Sequence, residues 1–306
     1  MPEPAQVEAH VAVVRLADGG PDTFTNTNPP WIPPEGLRAI FGGFLLGQSV
    51  SAANETVDAA FALHSLQSTF PRAGNASEKI VYSVERLADS RAFATRQVRA
   101  TQGDTCLYVA TIGYQRTAAE LKGRVLHYGP AMPDMRDADP DDPALRDNEW
   151  LFRLGLGNTP QEIKNGPPDP FDWRPISWKK AESPPLFRWQ SFVRSPLLTA
   201  GSHGVHAAAL AFLTDEWLLG LPILADPGMV GKGPGDIVVG STMNQSARFH
   251  APAARADEWM VCERETSWAG DGRVLVEQRL WDWKTGKLVV SCSQEGLFRL
   301  LKHAKM

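Results

Sequence analysis

The sequence predicts an α+β fold made of two copies of one unit, and three observations carry that prediction. Its 306 residues are enough for two domains rather than one. A weak internal repeat runs through the chain. In each copy an apolar helix candidate precedes several strands joined by tight turns, and one long helix against an antiparallel sheet, twice over, is an α+β plan.

The first copy runs through "HSLQSTFPRAG" and "IVYSVERLADSRAFATRQVRATQGDTCLYVATIGYQ". The second runs through "STMNQSARFHAPA" and "EWMVCERETSWAGDGRVLVEQRLWDWKTGKLVVSCSQEG". Phe70 matches Phe249 and Val84-Glu85-Arg86 matches Cys262-Glu263-Arg264, an offset of roughly 180 residues. The helix candidates are residues 43–60 and 206–220. Turn signals stand at Asp89-Ser90, Gly103-Asp104, Gly270-Asp271-Gly272 and Thr285-Gly286. These marks divide the chain into an N-terminal domain at 1–116, a connector at 117–200 and a C-terminal domain at 201–306. The connector is rich in Pro, Asp and Trp and is expected to wrap the surface.

Composition narrows the function. Hydrophobic residues at 43% and charged residues at 22% fit a globular chain. A net charge of −4 without a basic stripe argues against nucleic acid as the main partner. Cys106, Cys262 and Cys292 are odd in number and lack C-x-x-C spacing, which points away from a disulfide framework. Residues 1–14 lack the basic-then-apolar order of a secretory signal. The most apolar run, 205–224, is interrupted by Thr214-Asp215-Glu216 and Pro222, so it reads as a buried helix plus a loop and not as a membrane span.

Several chemistries lack their motifs. There is no G-x-S-x-G elbow. Gly231-Lys232-Gly233 lacks P-loop spacing, and Gly155-Leu156-Gly157 lacks the third glycine of a dinucleotide fingerprint. His203 and His206 have no third ligand nearby, so neither a metal nor another cofactor is expected.

Three polar residues fall in apolar surroundings or on a strand face that matters. Asp215 has Ala211, Phe212, Leu218 and Leu219 as its helical neighbours, a costly place for an unpaired carboxylate. That pattern fits a structural carboxylate capping a turn as well as one aimed at a buried site. Alternation puts Gln294 on one face with Val290 and Cys292, pointing inward. The same rule groups Thr242 with Asn244, Ser246 and Arg248 on a polar face. In the first copy Gly113 or a neighbour stands at the place of Gln294, and Glu55 is the acid nearest the place of Asp215. One active site per chain, in the second copy, is expected.

The motifs "IFGGFLLGQSV" at 40–50, "LHSLQSTFPRAG" at 63–74, "VERLADSRAFATRQVRATQ" at 84–102, "FLTDEWLL" at 212–219, "STMNQSARFHAP" at 241–252 and "SCSQEG" at 291–296 together resemble type II acyl-CoA thioesterases, including bacterial thioesterase II and the peroxisomal enzymes of eukaryotes. The resemblance implies a double hotdog, two long helices each wrapped by a curved antiparallel sheet. It implies hydrolysis of fatty acyl-CoA to the free acid and CoA by an Asp–Thr/Ser–Gln set, which falls on Asp215, Thr242 and Gln294. It keeps His64 of a "His-Ser-x-His" motif, and Arg72 and Arg96 are candidates for the CoA end. Association into a homo-oligomer also follows from it. The sequence departs from the family's pattern at Phe44 and Gln67, and at Asn244, Gln245 and Arg248. These changes leave the three catalytic positions intact. Two alternatives remain: a non-catalytic acyl-CoA-binding hotdog protein, and a hotdog enoyl-CoA hydratase. Ala304-Lys305-Met306 fits the small–basic–Leu/Met pattern of a peroxisomal address read by an import receptor, with a cytoplasmic location as the alternative.

Overall fold

The computed structural model describes residues 5–30, 39–117, 126–135, 138–145, 161, 164, 169–177, 181–230 and 237–300. Among them, twelve strands form one antiparallel sheet in the order β1-β2-β4-β5-β6-β3-β9-β12-β11-β10-β8-β7. The first half contributes β1 (Val13–Arg15), β2 (Thr23–Asn26), β3 (Phe61–Thr69), β4 (Val81–Asp89), β5 (Phe93–Gln102) and β6 (Thr105–Arg116). The second half contributes β7 (Asp172–Ser177), β8 (Arg188–Arg194), β9 (Ile237–Phe249), β10 (Met260–Gly270), β11 (Arg273–Asp282) and β12 (Leu288–Leu300). Strands β3 and β9 pair antiparallel at the middle, with Gln67 opposite Ser246, and join the halves edge to edge. The halves repeat one order: two strands, a long helix, then four strands. Strands β7 and β8 arise from the stretch expected to be connector.

The two halves also repeat their irregularities. β3 skips one residue between Leu63 and Ser65, and β9 skips Met243 between Thr242 and Asn244. β4 and β10 each bulge, at Leu87 and Ser267. Pairing through these ladders fixes which residues correspond. Val84 faces Val98, which faces Ala110. Arg264 faces Gln278, which faces Cys292. The counterpart of Val84 is therefore Arg264, two residues beyond the Cys262 that the sequence match suggests. A slip of two residues keeps each side chain on its own face of a strand, so the repeat stays visible in sequence at the wrong register.

Two helices lie against the sheet and against each other. Helix α1 (Gln6–Val11) packs on both of them. Helix α2 is Gly42–Asn54 and helix α3 is His203–Leu213, each ending earlier than the expected 43–60 and 206–220. At both C-termini a threonine hydroxyl turns back onto the last turn: Thr56 Oγ1 to Ala53 O and Thr214 Oγ1 to Ala211 O, each 2.7 Å. Such back-bonding competes with continued helix. The run His203–Ala225 is apolar and long enough by composition to cross a membrane, but Ala208–Leu213 is buried against α2 and the sheet. Phe44, Leu46, Phe212 and Leu213 are fully buried, each contributing about 1.5–3 kcal/mol.

The helices cross closely because small residues meet backbone. A Cβ on Gly43 would lie 2.6 Å from Phe212 O, and one on Gly47 would lie 3.1 Å from Ala208 O and 2.6 Å from Val11 Cγ1. Gly47→Val should destabilise the fold by about 1–3 kcal/mol through overpacking, read as a lowered urea midpoint. An unchanged midpoint would mean that the helices do not rest on each other there.

Candidate active site

Asp215 sits two residues past the end of α3, in the turn that closes it, and not on a helical face. Trp217 just beyond takes a left-handed backbone conformation, φ 58°, which costs a bulky residue and turns the chain sharply. The carboxyl oxygen Oδ1 of Asp215 accepts from Thr242 Oγ1 at 2.9 Å and from Gln294 Nε2 at 2.9 Å. Gln294 Nε2 also donates to Thr242 Oγ1 at 2.7 Å, closing a triangle. With its amide nitrogen so committed, Gln294 Oε1 is buried without a hydrogen-bond partner among the described residues.

The placement of Thr242 explains why strand alternation misassigned it. The bulge at Met243 adds one residue and reverses the phase, so Thr242 joins the inward face of Gln245, Ala247 and Phe249. Gln294 points inward as alternation indicates and is fully buried. Thr242 is the half-buried member, so solvent approaches from its side.

The N-terminus of α2 completes the site. The Gly43 backbone N–H donates to Asp215. A Cβ on Gly42 would stand 2.5 Å from Asp215 Oδ2 and 3.2 Å from the Phe70 ring, so only glycine admits the carboxylate there. Burial pushes the Asp215 carboxyl above its ordinary value, and the bonds from Thr242, Gln294 and Gly43 oppose that rise.

The next residue, Glu216, was missed from sequence, although the reasoning applied to Asp215 extends to it. It is 2% exposed, and its Oε2 accepts from Trp173 Nε1 at 3.0 Å. Burial raises it well above the usual carboxylate range. The fully buried Arg264 lies nearby, 4.7 Å from the Trp173 ring centre and 4.9 Å from that of Trp189. Gln245 lies beneath the triangle and donates to Thr214 Oγ1 at 2.5 Å and to Cys292 Sγ at 3.2 Å. Asn244 faces the other way and donates to Glu295 Oε2 at 2.7 Å. The unusual residues at 244 and 245 thus flank the triangle without entering it.

The first half has no such triangle. Thr56 and Thr214 make the same hydrogen bond one residue before Val57 and Asp215. The bulges equate Leu63 with Thr242, and the ladders equate Ile112 with Gln294. Ile112, not Gly113, is thus the counterpart of Gln294. Leu63 and Ile112 are apolar, and the side chain against Gly204 in α3 is the amide of Asn54, bonded by Tyr114 Oη at 2.9 Å, so among the described residues the first half lacks the acid–hydroxyl–amide set.

The three residues expected to contact substrate fare differently. Arg96 is corrected: it is 1% exposed and bonds Thr56 Oγ1, Thr56 O, Ala88 O, Thr95 O and Asp89 Oδ1. Those bonds clamp the end of α2 to the sheet and leave no donor for a phosphate. His64 is the bulge residue of β3, edge-on to Phe93, and lies beside Leu63 at the first-half counterpart instead of at Asp215. Arg72 is exposed, two residues beyond Phe70 at the Gly42 end of the site. Among the described residues no group of three or more His, Cys, Asp or Glu is placed to hold a metal ion.

Residues 28–115 match the acyl-CoA thioesterase N-terminal domain, and residues 136–298 match the acyl-CoA thioesterase C-terminal domain. The chain belongs to the acyl-CoA thioesterase family. It is 30% identical to acyl-coenzyme A thioesterase 8 of Homo sapiens over 281 residues, covering 88% of this chain and 82% of that protein. It is 28% identical over 141 residues to the peroxisomal acyl-coenzyme A thioester hydrolase 1 of Saccharomyces cerevisiae, covering 46% of this chain and 40% of that protein. A solved protein with a hot dog fold from Alicyclobacillus acidocaldarius superimposes with a TM-score of 0.66 at 14% identity, covering 97% of this chain and 98% of that chain. The fold of this family member is a double hotdog.

Asp215 links the site to stability. Its folded-state pKa is raised, so the folded chain carries a penalty that is absent below the unfolded pKa and grows as pH rises through the folded value. Asp215→Asn removes that penalty. Its midpoint relative to the native protein should shift upward as pH rises above the ordinary carboxylate range, then level off once the folded-state carboxyl is ionised. A difference that stays flat across that window would show an unperturbed carboxyl.

Proposed function

We propose that this protein hydrolyses fatty acyl-CoA to the free fatty acid and CoA, and that Asp215, Thr242 and Gln294 activate the attacking water. The observation that carries this reading is the closed triangle of hydrogen bonds around one buried carboxylate, with Gln294 Oε1 left over as an acceptor. A water beside Thr242 can donate one hydrogen to Gln294 Oε1 and the other to Asp215. Asp215 takes the proton as the water oxygen bonds to the thioester carbon. The carbonyl π pair moves onto oxygen, then returns as the C–S bond breaks. CoA leaves as thiolate and is protonated by the acid form of Asp215. No acyl-enzyme forms.

Helix α2 supports the same step. The Gly43 amide in its first turn already faces the carboxylate, and the positive end of the helix favours negative charge at this spot. Arg72, exposed at this end, is the candidate contact for the CoA phosphates.

The test is thiol release from a panel of acyl-CoAs. Asp215→Asn should lower kcat by about 10²–10⁴-fold in a folded protein. Gly42→Ala should also lower kcat, by more than about tenfold, because its methyl displaces the carboxylate. The acid limb of kcat/KM should lie above the ordinary carboxylate range, since burial dominates the shift of Asp215. No thiol release from any acyl-CoA would leave a non-catalytic acyl-CoA binder, and hydration of enoyl-CoA would replace the reaction.

We further propose a peroxisomal location through Ala304-Lys305-Met306, engaged by an import receptor. These residues lie outside the described ones; the support is their pattern and the name of the yeast relative. A fluorescent protein carrying residues 295–306 at its C-terminus should collect in peroxisomes, and a diffuse cytosolic signal would remove the address.

A further inference from the structure

We propose that the first-half counterpart of the Asp215 site is a second, non-catalytic pocket, and that its ligand is a fatty carboxylate. The choice of ligand class rests on the thioesterase reading, because that reaction releases such an acid. The place itself rests on geometry alone.

A pocket of about 530 Å³ opens where the counterpart of the catalytic triangle stands. Leu63, in the place of Thr242, lines it, and so does Phe249, the counterpart of the Phe70 that borders Gly42. His203, first residue of α3, borders it as the start of α2 borders Asp215. The volume lies within the roughly 300–1,000 Å³ of pockets that enclose small ligands. A narrower recess sharing Phe61, Leu63, His203 and Phe249 continues inward to Asn54 and Leu210.

The lining divides as an amphiphilic anion requires. Phe61, Leu63, Phe249 and the alanines supply an apolar wall. His64, His203, His250, Gln115, Arg116 and Thr117 supply the polar groups, and no Asp or Glu is among the described lining residues. Arg116 is exposed, with its guanidinium 4.6 Å from the Phe61 ring centre and its Nε on Arg91 O at 3.0 Å. The guanidinium is thus held against the Phe61 ring at the solvent boundary. Burial, with Arg248 adding to it, lowers the pKa of both His64 and His250, which makes them neutral hydrogen-bond partners near pH 7. One guanidinium with neutral imidazoles matches one carboxylate; the several phosphates of CoA need more cations. With Leu63 and Ile112 in the places of Thr242 and Gln294, the pocket lacks the triangle that would hold a water, and a free carboxylate has no thioester bond to break, so a ligand held there is not turned over.

The test is equilibrium binding of palmitate to the full chain, with thiol release from palmitoyl-CoA measured in parallel. Ala62→Trp fills the pocket from β3, and Arg116→Glu reverses the charge at its mouth. Palmitate should bind the native chain, lose its site in Ala62→Trp, and bind at least tenfold more weakly to Arg116→Glu. Thiol release should stay within about twofold of native in both. Asp215→Asn, without turnover, should retain palmitate binding. The proposal is overturned if palmitate does not bind, if neither pocket variant weakens it, or if a non-hydrolysable palmitoyl-CoA thioether takes this pocket in preference to palmitate. Should Ala62→Trp fail to fold, Arg116→Glu decides alone. Palmitate binding without any thiol release would sink the thioesterase reading and leave the pocket. Thiol release without a second palmitate site would sink the pocket and leave the enzyme.

Discussion

One buried carboxylate sets the terms for the second half. Asp215 is 6% exposed in surroundings that penalise its charge, and it is held by donors from a hydroxyl, a side-chain amide and a helix-start N–H. Those donors come from β9, β12 and α2, so the charge is satisfied only when both halves of the chain are folded together. The pairing of β3 with β9 and the close crossing of α2 on α3 bring these elements to one point. A raised pKa and a network of committed hydrogens are consequences of the same burial.

Duplication followed by divergence accounts for the asymmetry. The strand order, the threonine back-bonds at the helix ends and the bulges recur in both halves. The triangle does not recur, because Leu63 and Ile112 hold the places of Thr242 and Gln294. Structural polar groups diverged as well. Arg96 clamps the first half through Thr56, while Gln245 reaches the equivalent Thr214 in the second. The same threonine serves as an anchor for different partners, which leaves one half free to carry an acid and the other an open pocket.

The departures from the family's pattern follow this division. Phe44 is fully buried among the core residues. Asn244 bonds Glu295, which Arg273 holds in turn at 2.7 Å. Gln245 supplies two donor hydrogens to acceptors below the triangle. Each has a structural task outside the triangle, which is why the Asp–Thr–Gln set remains assembled around them.

The sequence by itself determined the two-copy α+β plan, the inward direction of Gln294 and the oddity of an acid among apolar residues at 215, because periodicity and local cost are readable along a chain. It could not place Thr242. A single bulge residue reverses strand phase, and such a bulge is defined by what the neighbouring strand pairs with. Nor could it separate Arg96 from a phosphate ligand, since the carbonyls that occupy that guanidinium approach from distant residues. The register of the repeat, the strands β7 and β8 and the meeting of Asp215, Thr242 and Gln294 were decided by tertiary structure alone. Convergence across 27 and 79 residues of chain depends on sheet pairing and helix crossing, which no local pattern encodes.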